Sequence, residues 1–438
     1  MSESQRVSDV VVVGGGLAGL AAAALLARAG RSVVLYEKAS AVGGRALTQR
    51  KGDYLFNLGP HALYRAGHGM AVLRGLGVSI SGGVPNAAGG FAIAGGVKHT
   101  LPGGFVSLLT TGLLRLAGKL ETARLLGSVQ KIDPRPIQHL SVGQWLTTTI
   151  QQPDVRGLVE ALVRVSTYAN DPQRQSAGAA VAQLQMALSS NVLYLNGGWQ
   201  TLVDGLRQAA EAAGARIITG AKVVGIEHDT VVRRVRLADG TLQGTSAVVL
   251  ATPPANASAL VDGGNEPTLR QWAATLIPIT AACLDVALSR MPQPKARFAL
   301  GIDRPLYLSV HSAVAQLAPQ GGALIHVAKY RPTDASNDPK GEERELEGLL
   351  DLVQPGWRDA VVERRFLPNM VVSNALVTAA AGGAVGRPGP TVPAIRNLYV
   401  AGDWVGPEGM LADASLASAR AVAEMIGRAE RSPAAAAA

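Results

Sequence analysis

Residues 9–37 read DVVVVGGGLAGLAAAALLARAGRSVVLYE, and this stretch decides the fold. Residues 9–13 are a continuous apolar run, the pattern of a strand buried on both faces of a parallel sheet. Residues 17–29 are rich in alanine and leucine and read as a helix, with Gly30 as its stop. Residues 32–36 form a second apolar strand. Between the first strand and the helix the glycines are spaced G-x-G-x-x-G. Gly14 permits a tight turn, Gly16 lets backbone approach a pyrophosphate, and Gly19 lets the helix pack on the strand. The helix start, at Leu17 and Ala18, offers N–H groups and partial positive charge to phosphates. Glu37 follows the second strand, 18 residues past Gly19. A carboxylate there accepts hydrogen bonds from a ribose diol and disfavours a 2′-phosphate. The unit is read as a dinucleotide site, with Lys38 beside Glu37 in the candidate set.

Working outward, Gly43-Gly44-Arg45 adds a second glycine pair that lets backbone come close to a ligand, with an arginine able to face pyrophosphate. A second block of similar patterning lies at 199–251. It has a helix at 199–213, then strands near 215–219, 222–228, 231–237 and 246–251, with Asp239-Gly240 as a hairpin turn. A third block, 397–426, is strand, loop and helix. In it Gly402 permits close approach, Asp403 offers hydrogen bonds to a polyol chain, and the helix start near Leu411, Ala412 and Asp413 presents its dipole. Three separated α/β blocks predict one discontinuous α/β Rossmann-type domain, built from 1–82, 195–265 and 390–430. A second, α+β substrate domain then comes from 83–194 and 266–389. The tail 431–438 (RSPAAAAA) reads as frayed.

Composition narrows the class. At 47% hydrophobic and 17% charged the chain reads as globular. A net charge of +9 permits anionic partners, but no basic run is interleaved with aromatics, so nucleic acid is not expected. Cys283 is the only cysteine, which excludes an intramolecular disulfide and a multi-cysteine metal site. The histidines form no HExxH pair, and no protein-bound metal is expected. A cytoplasmic location fits this cysteine usage. The apolar stretch 10–29 is broken by glycines, so neither a signal peptide nor a membrane span is expected there.

Together GGGLAGL, Glu37, GGR, NLGPHALY at 57–64, GGWQTLVDGL at 197–206 and NLYVAGDW at 397–404 resemble the FAD-dependent amine oxidase superfamily. That superfamily holds amine oxidases, phytoene desaturases and protoporphyrinogen oxidases. The resemblance implies FAD extended through the nucleotide domain, with its ring at the domain interface. It places Val223 where a backbone contact to adenine is usual, and Gly59, Pro60 and His61 near the isoalloxazine. His61 is then the candidate catalytic group, able to accept a proton or polarise a ring carbonyl. Lys329 and Tyr330 are weaker candidates. Cys283 lies far from the Gly402-Asp403 block, so the FAD is expected to be noncovalent.

Two departures argue against amine oxidation. The strand at 277–288 has no lysine, and Gly409-Met410-Leu411 stands where an aromatic is expected, leaving Trp404 as at most one partner of a cage. Aromatics are only 4% of the chain, which argues against a hidden cage. Pro60 and Ser418-Ala419-Arg420-Ala421 look more like the desaturase and protoporphyrinogen oxidase branches. The expected function is hydride removal from a C–C or C–N bond of a largely apolar substrate. Amine oxidation, redox-neutral isomerisation and a flavin-bearing binding role are the alternatives. Oxygen, a quinone or another flavoprotein fits as electron acceptor, and a single complete dinucleotide fingerprint argues against a second pyridine-nucleotide domain. Finally, 104–131 combines leucines with Arg115, Lys119, Arg124 and Lys131 against Glu121 alone. With Arg115 and Lys119 on one helical face and Leu109, Leu113, Leu116 and Leu120 on another, peripheral contact with an anionic membrane stands beside core packing as a reading.

Overall fold

The computed structural model describes residues 8–86, 89–335 and 338–429, so the tail lies outside it. Strand Ser8–Val13, helix Leu17–Arg28 and strand Val33–Tyr36 follow in the expected order, and Gly30 takes φ +84° just past the helix. Val10 to Val13 are buried between two layers, which is why the strand carries no polar alternation. In the first sheet Arg216–Ile218, Val33–Tyr36, Ser8–Val13, Leu242–Leu250 and Leu398–Val400 run parallel. Strand Leu242–Leu250 is long enough for two tasks. Its second half lies between the first strand and Leu398–Val400, while its first half pairs antiparallel with Val232–Leu237, which pairs in turn with Val223–His228. The seven strands therefore come from three separated stretches of chain.

The first helix is half alanine for a packing reason. It is covered by helices Gln200–Ala212 and Leu411–Ala429 as well as by the sheet, and only small side chains allow three neighbours so close. Its larger members Leu20 and Leu26 are fully buried, each worth about 1.5–3 kcal/mol by area.

The second sheet also has seven strands. Its order is Val361–Ser373, Ile279–Leu288, Ala323–Tyr330, Leu306–Val310, Phe298–Gly301, Phe91–Ala94 and Val97–Thr100. Its outer face packs on helix Pro339–Val353 through Leu284, Val286, Ile325 and Val327. A helical layer over 105–190 covers one end. Here the structure corrects an expectation. Residues 104–131 are not one continuous amphipathic helix. They form Phe105–Thr110 and Leu116–Ser128, broken around Gly112, and Arg115 is the N-cap of the second helix. The break separates Leu109 from Leu116 and Leu120, whereas Arg115 and Lys119 stay one turn apart, the Lys119 N–H donating to the Arg115 carbonyl at 2.9 Å.

Candidate active site

The three glycines of the first loop do different work. Gly14 has φ +106°, and a Cβ there would lie 2.5 Å from the Ala251 carbonyl oxygen. At Gly19 a Cβ would lie 1.8 Å from the Gly14 oxygen. Both are glycine because the protein's own packing demands it. Gly16 is in an extended conformation any residue can adopt, and a Cβ there would meet nothing within 4 Å. The glycine assigned on ligand grounds is thus the one that internal packing does not require. Gly16 is also the N-cap of helix Leu17–Arg28, and no side chain caps that end. Leu17 and Ala18 lie in its first turn, where N–H groups remain for an anion. Gly43 N–H donates to the Gly15 oxygen at 2.7 Å and Gly44 stands against Gly16, so the second glycine pair lines the first loop.

Glu37 spans the turn at the end of its strand. One carboxylate oxygen accepts from Gly15 N–H at 2.7 Å, the other from Ala39 N–H at 2.8 Å. Each keeps a second lone pair for a ribose hydroxyl. The Ala221 N–H donates to the Glu37 backbone carbonyl at 3.0 Å, which brings the start of strand Val223–His228 beside it. Val223 is buried, leaving its backbone as what it offers, and Lys38 is exposed next to Glu37.

Arg45 and Asp403, 358 residues apart, meet in an ion pair at 2.8 Å. Asp403 is buried, and Asn374 donates to both of its oxygens, at 2.9 and 3.1 Å. Burial alone raises this carboxyl; the Arg45 guanidinium and Asn374 outweigh burial and hold it below the usual range. Asp403 thus enters the site as an ionised anchor for Arg45. Gly402 is pinned by Ser418, whose hydroxyl oxygen accepts from Gly402 N–H at 2.9 Å. Trp404 is turned away: it is buried in the core, donates to the Thr252 oxygen at 3.1 Å and packs edge-on against Trp272. It supplies no cage wall. Arg387, which no sequence signal marked, donates to the Asp403, Glu408 and Gly409 carbonyls and holds the loop between strand and helix; burial lowers it to about 10. Leu411 opens the last helix with φ +56°, followed by Ala412. Asp413 is turned inward, accepting from Gly69 N–H at 2.9 Å.

Gly59 has φ +83°, and a Cβ there would lie 2.6 Å from the Met370 sulfur and 3.7 Å from Cys283 Sγ, so this loop rests directly on the second sheet. The Pro60 oxygen accepts from the Tyr168 hydroxyl at 2.7 Å. His61 lies between two carbonyl oxygens, with Nδ1 3.0 Å from Gly59 and Nε2 3.1 Å from Arg45, and packs edge-on against Trp199. Burial depresses its pKa most; the two carbonyls oppose this and His326 adds to it, giving about 4. The neutral ring carries one N–H, and with that proton on Nε2 it donates to the Arg45 carbonyl and ties the Gly59 loop to the Arg45 loop.

Beneath that loop, register builds a polar row. Asp285 is opposite Arg365 on one side and His326 on the other, and His326 is opposite Ser309. Asp285 accepts from Arg365, and its Oδ1 is 2.5 Å from His326 Nδ1 and 3.1 Å from Cys283 Sγ. The Cys283, Asp285 and His326 atoms are close enough to invite comparison with a metal site. Two ligands of one tetrahedral ion stand about 3.3 Å apart at ~2.0 Å bond lengths. The 2.5 Å contact is a hydrogen bond, and Arg365 already neutralises the acid.

Around this row gather Tyr64, Tyr168, Tyr194, Tyr307 and Tyr330, five of the eight tyrosines. Tyr168 and Tyr307 both pack against Tyr330, and Tyr194 stacks on His311 at 3.7 Å. Burial raises each phenol, so all are neutral. A 4% aromatic content thus misjudged the local density: scarce residues are concentrated in one place. Lys329 points to the other face, paired with Glu345 at 2.6 Å, away from Tyr330.

A glycine-lined loop after the first strand, the strand-loop-helix of the last block and a tyrosine-rich second sheet are thus the three parts of the candidate site. The profile of the family described as "Flavin containing amine oxidoreductase" matches residues 17–281, and the chain belongs to that family. A relative in Mycobacterium tuberculosis, "Putative flavin-containing monoamine oxidase AofH", is 30% identical over 270 residues; the match spans 58% of each chain. An oxidoreductase structure from Methanosarcina mazei superposes with TM-score 0.76 at 20% identity over 95% of this chain and 100% of that one. "Putative protoporphyrinogen oxidase" from Exiguobacterium sp. 255-15 gives 0.70 at 17% identity, over 97% and 99%. These likenesses show a shared fold across nearly the whole chain.

Proposed function

We propose that this protein holds FAD noncovalently and oxidises a C–C or C–N bond of a largely apolar substrate by hydride removal. Bound FAD supplies the two-electron acceptor. The residues that would hold it are the Gly14–Gly19 loop and helix start for the pyrophosphate, Glu37 for the ribose, Val223 backbone for adenine, and Arg45 with Gly402 toward the ring end. His61 acts as a positioning residue: its ring is engaged by Gly59 and Arg45, and it keeps the two loops in register. The observation that carries the substrate class is the interior beside Gly59–His61. Tyr168, Tyr307, Tyr330 and Met370 are apolar or neutral there, and the charged members of the row are paired with one another. A substrate seated against this cluster would meet apolar and neutral surface, which favours an apolar molecule. The same tyrosines favour a second reading, an amine, because aromatic faces attract cations, and the Mycobacterium relative's name points the same way.

The test is anaerobic mixing of the yellow holoprotein with lipophilic alkenes and cyclic imines in one arm and primary amines in the other. Flavin bleaching with the first arm, and a product two hydrogens lighter, is the expected result. Bleaching with amines alone would move the protein to amine oxidation. A product of unchanged mass without bleaching would mean isomerisation. Colour restored by oxygen, a quinone or a second flavoprotein identifies the acceptor.

A further inference from the structure

We infer that the outer face of helices Phe105–Thr110 and Leu116–Ser128 is a docking surface for an anionic lipid bilayer. Phe105, Leu116 and Val106 are the most exposed large apolar side chains among the described residues, at 77, 75 and 72%. Leu120 and Leu109 stand beside them at 62 and 54%. The side chains form one patch: Leu116 and Leu120 are one helical turn apart, and the Lys119 ammonium between them donates to the Leu109 carbonyl at 2.6 Å, fastening the two helices together. Scattered exposed leucines need no explanation, but a contiguous apolar patch of this kind marks a contact surface.

Charge selects the partner. Glu121, the acid in this segment, is turned inward, where its two oxygens accept from Gln151 and Gln152 N–H at 2.7 and 2.8 Å, just ahead of helix Pro153–Thr167. Asp154 is likewise spent on the Arg115 and Val155 N–H groups. Arg115, Arg124 and Lys131 are exposed and make no ion pair among the described residues. The patch is therefore apolar at its centre and cationic at its rim, the complement of an interface with acyl chains below and anionic headgroups above. A protein partner of acidic and apolar character would have to match the shape of two short helices, whereas a bilayer needs only an exposed apolar patch with cations at its rim. No helix among the described residues is long and apolar enough to cross a membrane, so the contact lies in the interface plane. An apolar pocket opens along the same helix, lined by Leu125, Leu126, Leu162 and Leu188, and extends the greasy surface inward.

The experiment is co-sedimentation of the holoprotein with phosphatidylcholine vesicles and with vesicles containing phosphatidylglycerol, at low and high salt. The F105S/L116S double variant is run alongside, and its flavin content and melting temperature serve as folding controls. Binding to the anionic vesicles that fades with salt and weakens about tenfold or more in the double variant is the expected result. Three outcomes would overturn the inference. One is a protein left in the supernatant with anionic vesicles at low salt. Another is vesicle binding that the double variant leaves unchanged. The third is a concentration-dependent dimer, without vesicle binding, that the double variant abolishes, which would assign the face to a second copy of this chain.

Discussion

Replacing Asp413 by Asn should stabilise the protein at neutral pH and leave it nearly unchanged in acid. The Asp413 side chain is 3% exposed; one oxygen accepts from Gly69 N–H, and the other has no hydrogen-bond partner among the described residues. Burial raises its pKa from 3.8 to about 6, against the pull of the Gly69 N–H. A carboxyl raised in this way binds its proton more tightly folded than unfolded. Its contribution to stability is complete below pH 4 and is lost as pH rises through 6. At about 1.4 kcal/mol per pH unit, the loss amounts to about 3 kcal/mol. Asn keeps an acceptor for Gly69 and cannot ionise. For a chain of 438 residues the unfolding entropy is about 0.9 kcal/mol/K, so the variant should melt about 3 °C above wild type at pH 7.5. The gap should close toward pH 4.5. Differential scanning calorimetry of both holoproteins across this range is the assay, and other titrating groups cancel in the comparison. A melting difference that does not change with pH would refute the reasoning.

Gly19→Ala should fail to fold, or lose more than about 4 kcal/mol, because its Cβ would stand 1.8 Å from the Gly14 oxygen; a soluble variant with native circular dichroism and melting temperature would contradict the loop geometry. His61 is held neutral with its pKa below 6.5, so its stabilising contribution is present above pH 6.5 and is lost as pH falls toward 4. His61→Gln should flatten that acid limb and shift the flavin spectrum, and an unchanged acid limb and spectrum would remove His61 from the site. Acid precipitation of the holoprotein should release all yellow colour into the supernatant, since buried Cys283 has its Sγ turned to Asp285; colour retained in the pellet would mean a covalent bond.

The parts of the fold legible in the sequence are those carried by local pattern. The run Val10–Val13, the glycine spacing and Gly30 each act within a few residues, so one chain segment contains the whole signal. The partners of those residues were not legible. Arg45 finds Asp403 only because Leu398–Val400 lies beside Leu242–Leu250 in the sheet, and Asp285 meets His326 and Arg365 through antiparallel register. Arg387 and Asn374 sit in loops whose course is set by tertiary contacts. Trp404 shows the opposite failure: its place after Gly402-Asp403 suggested a site wall, yet its indole fills the core. The tyrosines were counted but not located, because composition holds no information about which strands lie side by side. In 104–131 leucine periodicity ran through Gly112, where the helix breaks.

The central claim is that the Gly14–Gly19 loop holds the dinucleotide of a flavin, and the flavin content of Gly16→Val tests it most directly. The backbone at Gly16 is extended and the space in front of it is free of protein atoms, so the variant should fold with native circular dichroism. Its side chain would occupy the place assigned to pyrophosphate. The account predicts a soluble, colourless protein that takes up no added FAD; a folded, yellow variant with wild-type flavin stoichiometry would contradict it.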